Sequence, residues 1–126
     1  MTRVLCIEDD IAMAHLVEMI VSRMGHEVKS AQSGRQGLSL VDTFQPDIIL
    51  LDLMMPDMDG WDIYQRLKEQ PATQNIPVVV VTARSQHADK EVAMKLAQIE
   101  EYVTKPFTPQ HLAGTIMRVL EKHAAL

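Results

Sequence analysis

Two apolar runs end in carboxylates. RVLCI (Arg3 to Ile7) runs into Glu8, Asp9 and Asp10, and IILL (Ile48 to Leu51) runs into Asp52, inside the stretch DIILLDLMMPDMDG from Asp47 to Gly60. Short unbroken apolar runs rich in β-formers read as strands buried on both faces. Pro56, Asp57, Asp59 and Gly60 are turn formers, so the second strand opens into an acidic loop. Two later segments also end in polar groups: the apolar PVVVV (Pro77 to Val81) stops at Thr82, and a short segment, Ile99 to Thr104, stops at Lys105. A carboxylate can bind a cation, move a proton or attack an electrophile, whereas a hydroxyl and an ammonium stabilise negative oxygens. Taken singly, Asp52 reads best as a turn or cap residue, Thr82 as a strand-end hydroxyl and Tyr102 as a half-buried packing residue. The combination carries the signal.

The elements that would hold these residues alternate. Asp10 can cap a helix from Ile11, in which Met13, Leu16, Val17, Ile20 and Met24 form one apolar stripe before Gly25 ends it. His26 to Ala31 alternates in polarity, as a strand nearer the sheet edge would. Ser33 opens a helix through Leu38, Val41 and Phe44 to the Gln45-Pro46 stop. Trp61, Ile63, Tyr64 and Leu67 space a third helix that breaks by Pro71, and Ala88, Val92, Ala93 and Leu96 space a fourth. Thr108 caps and Pro109 starts a fifth, with the stripe Leu112, Ile116, Val119 and Leu120. Five strand–helix alternations of this length call for right-handed crossovers and a parallel sheet covered on both sides. That is an α/β, flavodoxin-like, doubly wound five-stranded sheet of order 2-1-3-4-5 with five helices.

In that order the first and third strands are neighbours at the switch point, which puts Glu8 and Asp9 beside Asp52. Three like charges in one crevice repel unless a cation compensates them. A hard divalent ion is implied, and Mg²⁺, which accepts one or two carboxylates while keeping waters or phosphate oxygens, suits so sparse a set. Thr82 and Lys105, delivered by the fourth and fifth strands, complete a crevice fitted to a phosphoryl group on Asp52. The carboxylate is the nucleophile, the metal bridges it to phosphoryl oxygens, and lysine and threonine meet the remaining oxygens.

Glu8-Asp9-Asp10 after an apolar strand, Asp52 followed by MMPDMDG, Thr82-Ala83 after a valine run, and Tyr102 before Lys105-Pro106-Phe107 stand in one order across essentially the whole chain. In this the chain resembles the receiver domain of two-component response regulators. The resemblance implies Asp52 as phosphoacceptor and Mg²⁺ held by Glu8, Asp9, Asp52 and the backbone carbonyl of Met54. It implies Lys105 and Thr82 on the phosphoryl group, Tyr102 as switch aromatic, and a cis Lys105-Pro106 bond. It further implies a switch rather than an enzyme, although with intrinsic phosphorylation and dephosphorylation. A histidine kinase or phosphotransfer protein would write the signal. A downstream effector or second receiver would read it on the face of the fourth helix, fifth strand and fifth helix, with the protein a monomer or a phosphorylation-dependent dimer. Gln98 and Ile99 depart from the small residues that many receivers place before the last strand. Met54 and Arg84 occupy the two variable positions flanking the phosphoryl group.

Composition bounds the alternatives. At 126 residues, 47% of them apolar, the chain suits one compact domain, expected to be a single receiver domain over 1–126 with no output domain. A net charge of −5 without clustered Lys and Arg argues against direct nucleic-acid binding. No apolar run reaches the roughly 18 residues of a membrane span and no signal peptide is visible, so no membrane association and a cytoplasmic location are expected. The lone Cys6 reads as a buried small hydrophobe, the five histidines as solvated, and the nine methionines as gap fillers. Asp57 and Asp59 resemble a fragment of a calcium loop whose remaining ligands are absent. Two other functions compete. An aspartyl-phosphate phosphatase wants Asp-x-Asp where this chain has Asp52-Leu53-Met54, and a phosphorylation-independent pseudo-receiver would not need the intact set Glu8, Asp9, Asp52, Thr82 and Lys105.

Overall fold

The computed structural model describes residues 1–83 and 101–124. Five strands, β1 (Arg3–Ile7), β2 (Glu27–Ala31), β3 (Ile48–Leu51), β4 (Val78–Thr82) and β5 (Glu101–Thr104), form one sheet of order β2-β1-β3-β4-β5. Every neighbouring pair is parallel. The described helices are α1 (Ile11–Arg23), α2 (Gly34–Phe44), α3 (Gly60–Glu69) and α4 (Pro109–Ala124). The sheet therefore has the expected order. The helix expected over Ala88 to Leu96, together with Arg84, Gln98 and Ile99, lies outside the described residues.

The continuous apolar strands make sense from their two faces. Val4, Cys6, Ile48, Leu50, Val79 and Val81 point to one side and pack with Val17, Ile20 and Val21 of α1 and Leu112, Ile116 and Val119 of α4. Leu5, Ile7, Ile49 and Leu51 point to the other and pack with Val41 and Phe44 of α2 and Ile63 and Leu67 of α3. With alternate residues buried on opposite faces, no position on β1, β3 or β4 past Arg3 can be polar until the strand ends. Each such buried Val, Leu or Ile contributes about 1.5–3 kcal/mol, which holds the strand ends that carry the polar residues in fixed register.

The helix ends follow local chemistry. Asp10 accepts from Met13 N–H at 3.2 Å and Ser33 from Gln36 N–H at 3.1 Å, each satisfying an otherwise free first-turn donor. Gly25, at φ 87, takes the left-handed conformation just beyond α1, as its position past the stripe predicts. Thr108 caps α4 by accepting from His111 N–H at 3.1 Å. The stripe of α1 sits slightly rotated from the expected one. Ala14 and Val21 are buried, while Met13, Leu16 and Met24 are only half-buried.

Candidate functional site

Glu8 and Asp52 leave adjacent strands at the same level, because Ile7 on β1 is in register with Leu51 on β3. Each is tied back by its own amide: Glu8 N–H donates to Ala31 O at 2.9 Å and Asp52 N–H to Ile7 O at 3.0 Å. The backbones cannot drift apart without breaking sheet bonds. Oxygens of Glu8, Asp9 and Asp52 all lie within 4.8 Å of one another, with Glu8 and Asp52 buried and Asp9 exposed at the rim.

Lys105 reaches this cluster from the far strand. Its ammonium donates to Glu8 Oε1 and lies 3.4 Å from Asp52 Oδ2. The Lys105-Pro106 bond is cis, as the resemblance implies. The Lys105 amide donates to Thr82 O at 2.9 Å, so the lysine and the threonine at the end of β4 are joined through the backbone. Thr82 is fully buried.

The remaining carboxylate oxygens are also spoken for. Asp52 Oδ1 accepts from Met54 N–H at 3.0 Å, which folds the chain sharply after β3 and leaves the Met54 side chain exposed. Glu8 Oε2 accepts from Asp10 N–H at 3.3 Å. Gly60 closes the loop: its amide donates to Leu53 O at 3.2 Å, and a Cβ there would stand 2.5 Å from Leu53 Cα. Only glycine permits that approach.

Electrostatics record the crowding. Burial pushes the Glu8 carboxyl up to about 7, and a hydrogen bond that protonated Glu8 gives Asp52 adds to this, against the opposing ammonium of Lys105. Burial pulls the Lys105 ammonium down, but its bond to Glu8 and the charges of Asp52 and Glu8 outweigh this and hold it above the usual lysine value. Among the described residues one ammonium thus pairs with two of the three clustered carboxylates. Two inner carboxylates, one outer one and an incompletely balanced negative charge fit a hard divalent cation.

Tyr102 stands apart from the carboxylates. It lies on β5 in register with Val80 and, half-buried, packs against a small separate core of Leu53, Trp61 and Val80. Leu53 directly follows Asp52, so this core joins the acidic loop to β5. Trp61 and Tyr64 meet edge to face with centroids 6.2 Å apart. Cys6 is buried and its thiol is pushed up to about 12, chiefly by burial, which leaves it an inert core residue.

The sequence reading missed Asp57. It accepts from Gly34 N–H at 3.0 Å and from Arg35 N–H at 3.3 Å, capping α2 from a loop 23 residues away, and no local pattern marks so distant a partner. Asp59, set beside it as a calcium-loop fragment, is the cap of α3, accepting from Trp61 N–H at 2.9 Å.

Comparison with known proteins agrees with this arrangement. The chain is 36% identical over 122 residues to the DNA-binding dual master transcriptional regulator RpaA of Synechocystis, covering 97% of this chain and 50% of that protein. It is likewise 36% identical over 122 residues to the sensory transduction protein RegX3 of Mycobacterium tuberculosis, covering 97% and 52%. The chain spans about half the length of the curated relatives it matches. Among solved structures it is similar to chemotaxis protein CheY4 of Vibrio cholerae, at 28% identity and TM-score 0.84 over 94% of this chain and 98% of that one. The receiver domain of the Francisella response regulator 1452 gives 27% identity and TM-score 0.84 over 97% and 98%. The family model of the response regulator receiver domain matches residues 4–117, and the chain belongs to that family, the receiver domains of two-component systems.

Proposed function

We propose that Asp52 is the phosphoacceptor of this receiver domain, with Glu8, Asp9, Asp52 and the Met54 carbonyl holding Mg²⁺ and with Lys105 and Thr82 meeting the phosphoryl oxygens. The observation that carries this reading is the convergence of Asp52, Glu8, Asp9 and the Lys105 ammonium at the ends of three strands. In the step, an Asp52 carboxylate oxygen forms the new O–P bond. The P–N bond of a phosphohistidine protonated on its other ring nitrogen breaks to release neutral imidazole, or the P–O bond of a small acyl phosphate breaks to release a carboxylate; in each case the leaving group takes the electron pair. The bound metal supplies charge neutralisation on the phosphoryl oxygens. Lys105 is already aimed at Asp52 Oδ2 and can follow the charge as it moves onto phosphoryl oxygens.

The output in this reading passes through Tyr102. Drawing the Thr82 hydroxyl toward a phosphoryl group frees space beside β4. Tyr102, which packs on the Leu53, Trp61 and Val80 core, would take it. A histidine kinase or phosphotransfer protein would write this signal. An effector or second receiver would read it on the face that includes β5 and α4. The domain assignment of 1–126 as one receiver and a cytoplasmic setting belong to the same reading, and among the described residues no helix is long and apolar enough to cross a membrane. The phosphatase alternative finds no second aspartate at position 54, where Met54 stands.

Incubation with Mg²⁺ and a small acyl phosphate tests the reading. Intact mass should show one added phosphoryl group, stable in acid and labile in base, that is absent from Asp52→Asn. Undiminished modification of that variant would remove Asp52 from the role.

A further inference from the structure

The loop between β3 and α3 lies against two helix N-termini and is fastened to both. Asp59 caps α3 within its own segment, which is ordinary. Asp57 does something different: its two carboxylate oxygens accept separately from the first two amides of α2. These donors have no partner within the helix, and the positive end of the helix dipole favours a carboxylate there.

Packing fixes the same contact from below. A Cβ on Gly34 would stand 2.8 Å from Ile63 Cδ1 and 2.9 Å from Met58 Cβ, so glycine lets the start of α2 rest directly on the loop and on α3. A second helix cap, Ser33, meets a third first-turn donor of α2, the Gln36 amide, from within its own segment, so Asp57 is not the helix's sole cap. Met54 and Asp59 form an antiparallel bridge, which makes residues 54–59 a closed unit, and Asp57 within it is a polar tie from that unit to α2. Asp57 is exposed, and the Gly34 amide foremost holds its carboxyl below the usual aspartate range, so the tie is in its ionised form at neutral pH.

We propose that Asp57 is a positioning residue for the metal site: by fastening the 54–59 unit to the N-terminus of α2 it holds the Met54 backbone, and through the Met54 amide the Asp52 carboxylate, in place for the cation. This rests on the metal reading above. Groups that orient ligands from behind change metal affinity by about 10-fold or more when removed. Because the tie lies outside the ligand set, its loss weakens binding without changing the number of ligands.

The experiment is an Mg²⁺ titration of the whole chain, followed by the fluorescence of Trp61, which is buried against Leu53. Metal-free thermal melts of each variant run alongside. Asp57→Ala should bind Mg²⁺ about 10-fold more weakly. Asp57→Asn, which keeps one acceptor but no charge, should recover part of the loss. Ser33→Ala removes a cap from the same helix without touching the loop, and should lower the melting temperature yet leave Mg²⁺ affinity unchanged. Wild-type affinity in Asp57→Ala overturns the proposal. So does an equal loss in Ser33→Ala, which would make the effect one of α2 stability, or an equal loss in Asp57→Asn, which would make it one of charge alone. Asp9→Ala separates the two levels: if it binds Mg²⁺ like the wild type, the metal reading itself fails, whatever Asp57 does.

Discussion

Lys105 Nζ lies 3.4 Å from Asp52 Oδ2 while donating to Glu8, so one ammonium from the end of β5 bridges carboxylates from β1 and β3. Among the described residues it is the ammonium that pairs with the buried carboxylates of the crevice. Its side chain is only 16% exposed, and those of Glu8 and Asp52 are 4% and 6% exposed, so water screens little of the interaction.

Lys105→Met should therefore destabilise the metal-free protein by about 3 kcal/mol, because it leaves buried carboxylates without their partner. Saturating Mg²⁺ should narrow the gap to the wild type, because a divalent ion offsets the same carboxylates. Urea unfolding with and without chelator measures both. An equal gap under the two conditions would mean that lysine and metal do not share the site.

Glu8 gives a pH dependence whose sign is opposite to the common carboxylate case. Its folded pKa, about 7, is above its ordinary value of 4.5, so the fold prefers the protonated form. The stability this contributes is complete below the ordinary value and is lost as pH rises through the folded one. Metal-free protein should be more stable at about pH 5 than at about pH 8, and Glu8→Gln should flatten the difference. Denaturant midpoints at the two pH values check this, and a rise in stability across that window would contradict it.

Gly60→Ala should harm both fold and site. The new Cβ meets backbone, Leu53 Cα at 2.5 Å and Asp52 O at 2.9 Å, so the strain falls on the segment carrying Asp52. A loss of about 2 kcal/mol is expected from overpacking. Phosphoryl uptake from a small donor should slow in the folded fraction. A variant as stable and as reactive as the wild type would mean that the loop moves more freely than its bridges suggest.

Thr82→Ala should separate modification from output. The hydroxyl is buried at the end of β4 and is not the nucleophile. The variant should still gain a phosphoryl group from a small donor, yet respond weakly. Amide exchange across 78–83 and 101–104, with and without a beryllofluoride mimic, reads the response. Wild-type changes in the variant would remove Thr82 from the signal path.

The sequence by itself determined the class of fold and marked the strand ends that form the candidate site. A strand buried on both faces is apolar until it ends, so Glu8 and Asp52 were legible as the first polar groups after β1 and β3, and Thr82 as the polar residue that ends β4. Stripes and caps such as Asp10, Ser33 and Thr108 are likewise local, because their partners lie within one helical turn. Tertiary structure decided what depends on register and on contacts between distant segments. The pairing of Ile7 with Leu51 sets two carboxylates 44 residues apart side by side. The reach of Lys105 to Glu8 spans 97 residues. Asp57 shows the limit most sharply. In sequence it was a turn former in an acidic loop, and its partners, the Gly34 and Arg35 amides, are backbone groups that every residue carries. No residue type announces them, and only the packing of α2 beside the loop selects these two.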